Sequence, residues 1–285
     1  MTNLAVIGPG LLGASIAMAA KRAGNFRVSI WARRETAVSE LQTRGIGDFA
    51  STDLRKTSEN ADLAILCVPI GAMPSLGRQL AAILHPGALV TDVGSVKGSV
   101  VAELNAIFTG GVRFVGSHPM AGSEQTGMGF ARADLFDEQV CIVTPDPTSQ
   151  AQDIERVSSF WKNLGCRVRQ LGPDEHDEIV AMISHFPHLL AAALVDSVCA
   201  RSPAALDFAG PGFRDTTRVA SGPPEMWSEI LGVNRLAVKK SAEAMIEKLQ
   251  EIMTLLDRPY PGGADSMNQF LTSAKTQRDR LQFRA

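Results

Sequence analysis

The feature that most constrains the fold is a short apolar run near the amino terminus that ends in three closely spaced glycines. Leu4-Ala5-Val6-Ile7 leads directly into Gly8-Pro9-Gly10-Leu11-Leu12-Gly13, and helix-forming residues continue to Ala23. Such a hexapeptide is a weak signal by itself, but between a strand and a helix it is typical of a dinucleotide-binding turn. The first glycine should make the tight turn, the second admit a pyrophosphate, and the third let helix and strand pack closely. The predicted cofactor-binding residues of the turn are Gly8, Gly10, Leu11, Leu12 and Gly13.

The first half of the chain alternates short apolar runs with helical stretches. Because these runs are apolar on both faces, both faces of the predicted sheet should be covered by other elements. Strands separated by helices predict a mostly parallel sheet in an α/β domain of the Rossmann type. The predicted strands are 4–7, 28–31, 63–68, 88–92, 113–116 and 140–143, and the predicted helices are 12–23, 35–44 and 73–84.

The pattern changes near Gly172-Pro173-Asp174, and helical periodicity without a convincing strand follows from Glu175. Acidic residues there suit the first turn of a helix that runs toward Ile183. A second helical region runs from Glu225 to Asp257, with Gly232 as a candidate break; uninterrupted, it would span roughly 50 Å. An apolar helix of that length needs cover from a partner subunit. We therefore predict a dinucleotide-binding domain over 1–172, an all-α substrate-binding and dimerisation domain over 173–285, and a homodimer.

Composition excludes several classes of protein. The 285 residues carry 28 basic and 30 acidic side chains, a balance that argues against a nucleic-acid partner. No apolar run approaches the ~20 residues that cross a bilayer, and no basic leader precedes the first apolar run, so a cytoplasmic protein without a membrane partner is expected. Four widely spaced cysteines without a CxxC pair indicate reduced thiols.

The residues after the second predicted strand bear on the choice of cofactor. An acidic residue there would bind the ribose 2′-hydroxyl of NAD. This chain has Arg33 and Arg34 instead, and its first carboxylate is Glu35. Two guanidinium groups could pair with a 2′-phosphate, which favours NADP over NAD. A solvated surface pair of arginines is the alternative, so both cofactors stay open.

Three of the five histidines and two arginines stand in unusual settings. His118 follows a predicted strand near the carboxyl edge of the sheet, where ligands bind in open α/β sheets. His185 and His188 are three residues apart, and Arg214 and Arg218 are four apart, so each pair should share a helix face. The alternative for each histidine is a hydrogen-bonded structural role. No further ligands at short spacing support a metal site. The remaining two histidines, His85 and His176, are predicted to lie on the surface.

Six motifs in order make a more specific pattern than any one of them. They are the glycine turn at Gly8, Asp92-Val93-Gly94-Ser95-Val96-Lys97, Gly116-Ser117-His118-Pro119-Met120-Ala121-Gly122-Ser123-Glu124, Ser184-His185-Phe186-Pro187-His188, Phe213-Arg214-Asp215-Thr216-Thr217-Arg218 and Pro224-Glu225-Met226-Trp227. Together they resemble the prephenate/arogenate dehydrogenase family of tyrosine biosynthesis, over residues 4 to about 257. The resemblance implies a Rossmann-type domain followed by a helical, dimerising domain. The chain leaves no room for a fused chorismate mutase or ACT domain, so neither activity is carried over.

The resemblance also implies a reaction and a set of roles. The family oxidatively decarboxylates a cyclohexadienol, and a neutral imidazole suits the single proton to be removed. By resemblance His118 is the catalytic base, and Ser95 hydrogen-bonds it or the substrate hydroxyl. Arg218 and His188 would bind the substrate carboxylates, with His185 and Arg214 as weaker candidates. The further candidates are Ser123 and Glu124 for the substrate, Val68, Pro69 and Ser95 for the cofactor, and Lys97 for either anion or as a surface residue.

Two other functions and the choice of substrate stay open at the level of sequence. Another two-domain dehydrogenase, of the β-hydroxyacid type, would place a catalytic lysine on a helix after the sheet, and no such motif stands out. A non-catalytic dinucleotide sensor predicts loss of His118 or Arg218, and both are present. Glu124 could pair with the amine of arogenate or assist prephenate through a neighbour, so both substrates are retained.

Overall fold

The strands of the dinucleotide-binding half follow the predicted alternation with helices. The computed structural model describes residues 1–122, 125–258, 261 and 263–281. The strands are β1 Thr2–Ile7, β2 Phe26–Trp31, β3 Phe49–Ser51, β4 Leu63–Leu66, β5 Leu89–Asp92, β6 Arg113–Phe114, β7 Gly116–Pro119, β8 Val140–Thr144 and β9 Arg167–Gln170. The helices are α1 Leu11–Ala23, α2 Glu35–Thr43, α3 Leu54–Ser58, α4 Met73–Ala81, α5 Gly98–Ile107, α6 Ala151–Asn163, α7 Pro173–Val180, α8 Phe186–Arg201, α9 Pro211–Thr217, α10 Pro224–Val233, α11 Arg235–Leu256 and α12 Ala264–Asp279.

Six strands form one sheet in the order β3-β2-β1-β4-β5-β6, and every neighbouring pair is parallel. This order reverses direction between β1 and β4, the point at which open α/β sheets bind ligands. The glycine turn follows β1 at that reversal. The predicted α/β fold of the Rossmann type is therefore confirmed.

The sheet separates two apolar cores, as strands buried on both faces require. Along β1, Leu4 and Val6 pack into one core and Ala5 and Ile7 into the other, because successive side chains point to opposite faces. Both cores are built mainly from aliphatic side chains, and Trp161 is fully buried in the first.

Strands β7, β8 and β9 form a second sheet that the sequence did not reveal. β7 pairs antiparallel with β8, and β8 pairs parallel with β9. The strand predicted over 113–116 is in fact split between the two sheets at Val115. β3 and β9 were missed because the first has three residues and the second reads Arg-Val-Arg-Gln, without an apolar run.

The chain after residue 172 is helical, and its described residues contain no strand. A short π-helical turn, Ala181–His185, joins α7 to α8. The predicted long helix is interrupted at Asn234, two residues beyond the expected Gly232. Asn234 is buried, and its amide donates to the Asp177 carbonyl oxygen, so its side chain is committed to a contact outside the helix.

By its contacts the chain divides into two compact units, 1–237 and 238–285. The helical segment Pro173–Arg201, of mean hydropathy 1.6, is long and apolar enough to cross a membrane, so the statement that no such stretch exists was wrong. Two histidines of this segment, His176 and His185, are buried and hydrogen-bond His118 and Asn234. The four cysteines are unpaired, as predicted.

Candidate active site

The turn after β1 has the close packing that its glycines require. Gly8 has a φ of +108°, and a Cβ on it would lie 2.5 Å from the Cys67 carbonyl oxygen. A Cβ on Gly13 would lie 1.9 Å from the Gly8 carbonyl oxygen. Gly10 differs, because a Cβ there would meet no atom within 4 Å. The turn is therefore closed toward the sheet and open at Gly10, beside the free amides that begin α1, as a bound pyrophosphate needs.

Val68 and Pro69 follow β4 at the same edge of the sheet. A side-chain carbon of Val68 lies 2.9 Å from the Cβ position of Gly8, so this residue is placed beside the turn. Pro69 begins the short helical turn Ile70–Ala72, and the backbone amide of Ile70 donates to Glu229 of α10 at 3.2 Å. The contact ties the cofactor edge of the sheet to the helical region.

Arg33 and Arg34 lie at the end of β2, next to the glycine turn. The Gly8 amide donates to the Trp31 carbonyl oxygen at 3.0 Å, which fixes the two loops side by side. Both arginines are exposed, and Arg34 immediately precedes α2. The nearest carboxylate in sequence, Glu35, accepts a hydrogen bond from the Thr52 hydroxyl at 2.6 Å. Glu35 is therefore engaged by its own domain.

A buried ion pair holds the strand that carries His118. Lys97 is fully buried and donates to Asp92 and, at 3.1 Å, to the Ser117 carbonyl oxygen. Asp92 also accepts from the backbone amides of Gly94 and Ser117, at 2.8 and 3.2 Å. The pair thus joins the end of β5 to the residue before His118. The surface position considered for Lys97 is wrong, because its ammonium group is needed to pair a buried carboxylate.

His118 belongs to a chain of three hydrogen-bonded side chains. Its Nδ1 lies 2.9 Å from Nε2 of His176, and Nδ1 of His176 lies 2.8 Å from Oδ1 of Asp177. His118 is partly exposed, whereas His176 is fully buried. The prediction that His176 lies on the surface is therefore wrong. His85 is half-exposed and lies near Asp62. It does not belong to the three hydrogen-bonded side chains of His118, His176 and Asp177.

The electrostatic surroundings favour neutral His118. Burial lowers the pKa of His118 well below the ordinary 6.5, and His176, Lys97 and His185 lower it further. Burial also lowers the pKa of His176, although Asp177 opposes that shift. Because a neutral imidazole has a lone pair, His118 can accept a proton at neutral pH.

His185 and His188 meet at the same aromatic side chain. The ring of His188 stacks on Trp227 with centroids 3.6 Å apart, and His185 meets Trp227 edge-on at 6.3 Å. Nδ1 of His185 lies 3.1 Å from the Asn234 amide nitrogen, so it accepts and the proton of the neutral ring is on Nε2. Among the described residues, Nε2 of His185 and Nδ1 of His188 are buried without a hydrogen-bond partner. Two such atoms suit a polar ligand.

Both histidines are neutral at physiological pH. Burial lowers the pKa of His185 to about 4, and burial also lowers the pKa of His188. They can therefore offer hydrogen bonds to a substrate but no positive charge.

The two arginines differ in position. Arg214 is exposed in α9, and Arg218 begins the short turn Arg218–Ser221 that packs against α8. The same turn lies near His188, because the backbone of Val219 hydrogen-bonds the His188 ring and partly opposes the lowering of its pKa by burial. Arg218 is exposed and has a partner within the chain. The structure thus brings Arg218, His188 and His185 into one region.

The remaining predicted residues are placed as follows. Ser95 is partly exposed in the loop between β5 and α5, and its backbone is near His185, where it weakly opposes the lowering of the His185 pKa by burial. Ser123 and Glu124 lie outside the described residues. In the parts of the chain that the structure describes, no group of three His, Cys, Asp or Glu side chains could hold a metal ion.

Comparison with known proteins decides which family has this arrangement. A family model described as the nucleotide-binding domain of prephenate dehydrogenase matches residues 16–170, and the model of its dimerization domain matches 172–272. The chain belongs to the prephenate/arogenate dehydrogenase family. The sequence resemblance is therefore confirmed. The two family models meet within two residues of the predicted boundary at 172, which itself stays a prediction.

Individual members of the family match this chain over most of their own length. The cyclohexadienyl dehydrogenase of Zymomonas mobilis is 33% identical over 89% of this chain and 88% of its own. The prephenate dehydrogenase of Bacillus subtilis is 33% identical over 99% of this chain and 76% of its own. The crystal structure of A. aeolicus prephenate dehydrogenase with hydroxyphenyl propionate and NAD+ is 29% identical, covers 99% of both chains and has a TM-score of 0.91.

Proposed function

We propose that this protein catalyses the NAD(P)-dependent oxidative decarboxylation of prephenate, arogenate or both in tyrosine biosynthesis. The products are 4-hydroxyphenylpyruvate from prephenate or tyrosine from arogenate, each with CO2. The observation that carries the proposal is a neutral His118 on β7, held beside the carboxyl end of β5 of the dinucleotide-binding sheet by the bond from the Ser117 amide to Asp92, in a chain of this family. The names of the relatives include both prephenate and cyclohexadienyl dehydrogenases, so the proposal keeps both substrates.

The reaction requires the protein to transfer one proton, that of the C4 hydroxyl. A nicotinamide cofactor held at the turn Gly8–Gly13 would supply the acceptor for the hydride of C4 of the ring. His118 takes the proton of the C4 hydroxyl, and the bond to the ring carboxylate breaks so that CO2 departs and its electron pair makes the ring aromatic. His118 then returns the proton to the phenolate oxygen. Aromatisation supplies the driving force, so His118 needs only a lone pair directed at the hydroxyl. Ser95 is proposed to hydrogen-bond His118 or the same hydroxyl.

The substrate carries two carboxylates, which need cationic or hydrogen-bonding partners once they leave water. Arg218 is the proposed cationic partner because His185 and His188 are neutral. His185 is proposed to donate to a carboxylate from its unpartnered Nε2, and the unpartnered Nδ1 of neutral His188 is proposed to accept a hydrogen bond from the substrate. Arg214 remains a secondary candidate, since it lies one helical turn before Arg218 and is exposed.

The cofactor site supports NAD(P), and NADP is the proposed preference. The open space at Gly10 and the start of α1 suit the pyrophosphate. Arg33 and Arg34 are exposed beside the turn, while Glu35 is held by Thr52. A guanidinium pair would favour a 2′-phosphate.

A homodimer in the cytoplasm is the proposed state of the protein. The family model that matches residues 172–272 is a dimerization domain. Among the described residues, every exposed large apolar side chain except Met1, Phe49 and Phe130 lies after residue 181. Helices of this region therefore present apolar surface that a second copy could cover.

The test is the absorbance of reduced nicotinamide after mixing the protein with prephenate or arogenate and either NAD+ or NADP+. We expect reduction with at least one pair and release of one CO2 per reduced cofactor. A 3-hydroxy acid should give no reduction, which separates this enzyme from dehydrogenases of the β-hydroxyacid type. Cofactor binding without reduction in any of the four mixtures would overturn the proposal and favour a dinucleotide sensor.

A further inference from the structure

We propose that His176, anchored by Asp177, is a positioning residue that keeps the proton of neutral His118 on Nδ1 and the lone pair on Nε2. The inference rests on the proposed function, because it concerns the base of that reaction. The sequence alone indicated no role for either residue, because it predicted that His176 lies on the surface.

The donor and acceptor in each hydrogen bond between His118, His176 and Asp177 follow from the carboxylate at one end. An ionised carboxylate only accepts hydrogen bonds, so Nδ1 of His176 donates to Asp177 across 2.8 Å. Neutral His176 then has its lone pair on Nε2. Nδ1 of His118, 2.9 Å from that atom, must donate to it. The lone pair of neutral His118 is consequently on Nε2.

Other contacts hold Asp177 in an acceptor role. Its Oδ1 accepts from the Lys97 amide at 2.7 Å, and its Oδ2 accepts from the Gly98 amide at 2.8 Å. These two amides begin α5, and a carboxylate there compensates unpaired donors and the positive end of the helix. With both oxygens facing N–H groups, the carboxylate cannot present a proton to His176. The direction of the chain is therefore fixed by the fold.

The hydrogen bonds from His118 to Asp177 also link the two parts of the site. His118 lies on β7 of the second sheet, whereas His176 and Asp177 lie on α7. The Asp177 carbonyl oxygen accepts from Asn234, whose amide nitrogen also contacts His185. The base and the proposed substrate histidine are thus held by one hydrogen-bond network.

The proposed role is consistent with the proton balance of the reaction. When Nε2 of His118 takes the substrate proton, the ring becomes an imidazolium that still donates from Nδ1 to His176. No further proton has to move along the chain. If the proton of neutral His118 were on Nε2 instead, that atom could not accept, and the fraction of active enzyme would fall.

The test compares two substitutions of similar size. His176→Gln keeps an acceptor oxygen near the position of Nε2, whereas His176→Leu removes it. We expect the Leu variant to lose at least about tenfold in kcat, which is less than the roughly hundredfold or more that a general base itself contributes. The Gln variant should recover much of that loss. Michaelis constants for substrate and cofactor should change little in both, and His85→Asn serves as a matched surface control.

The tautomer is measured directly, without turnover. Two-bond 1H–15N spectra of 15N-histidine-labelled protein distinguish a protonated from an unprotonated ring nitrogen, and His118→Asn assigns the His118 signals. We expect protonated Nδ1 in the wild type and in His176→Gln, and a shift toward protonated Nε2 in His176→Leu.

The outcomes separate this inference from the proposed function. Wild-type His118 with its proton on Nε2 would overturn the inference, whether or not the variants fold. Equal loss of kcat in the Gln and Leu variants with an unchanged tautomer would also overturn it. If the wild type shows the expected tautomer but reduces no cofactor with either substrate, the proposed function fails while the hydrogen-bond chain stands.

Discussion

At the scale of single residues, the environment of His118 predicts how activity depends on pH. Burial and three neighbouring basic groups lower its pKa well below 6.5. The base works only when neutral, so kcat/KM should fall as pH decreases through that lowered pKa and should stay flat between that pKa and pH 6.5. The measurement is kcat/KM for the substrate over the acid range. An acidic limb centred at or above 6.5 would contradict the assignment.

Arg33 and Arg34 give a second prediction at this scale. If they bind a 2′-phosphate, the ratio of kcat/KM for NADP over NAD should exceed one in the wild type. Changing both to Ala should lower the ratio by about tenfold or more, the loss of one charge-assisted contact. Steady-state kinetics with each cofactor measures the ratio, and Arg55→Ala, in α3, is an exposed control. A wild-type ratio below one would overturn the preference for NADP and leave the reaction unchanged.

At the scale of elements, two substitutions in the glycine turn should distinguish an effect on cofactor binding from an effect on folding stability. Gly10→Ala places a methyl group in open space, in a conformation that alanine adopts, so the unliganded protein should keep its melting temperature. That methyl group should weaken cofactor binding at least about tenfold, since it stands where the pyrophosphate approaches. Gly13→Ala should lower the melting temperature itself, because its Cβ would meet the Gly8 carbonyl oxygen. Equal cofactor affinity in Gly10→Ala and wild type would contradict the placement.

The same elements show which parts of the fold could be predicted from the sequence. The parallel sheet was predictable, because β1 and β4 contain continuous apolar runs and β2 and β5 carry several β-branched or aromatic residues. β3 and β9 were not, since short or polar edge strands have no periodic signal. His176 could have been found from its spacing, because it lies four residues before Val180 and both are buried on one face of α7. Its partner His118 is distant in the chain, so only the fold could show the pair.

The site was predictable only in part for a similar reason. His118, His185, His188 and Arg218 stand in motifs and were identified as candidates. The buried pair of Lys97 with Asp92 and the break of the long helix at Asn234 depend on which groups meet across elements. A polar side chain gives no sign in sequence of the partner that will permit its burial.

At the scale of the whole molecule, the last prediction concerns the dimer. Helix α11 exposes Ile246, Leu249, Met253 and Leu256, whose spacing of three and four residues places them along one stripe. Water contact over such a stripe is unfavourable, so we expect a second copy to cover it.

Changing Leu249 and Met253 together to Glu should convert the dimer to monomer at micromolar concentration, because two charges would be buried unpaired at the interface. Sedimentation velocity measures the change. Ala244→Glu introduces a charge on the opposite, exposed side of α11 and should leave the dimer intact. A monomeric wild type would overturn the predicted homodimer, and a dimer in both charged variants would exclude the stripe as its interface. Because dimerisation buries apolar surface on folding, the melting temperature of the wild type should also rise with protein concentration, and that of the Leu249 and Met253 variant should not.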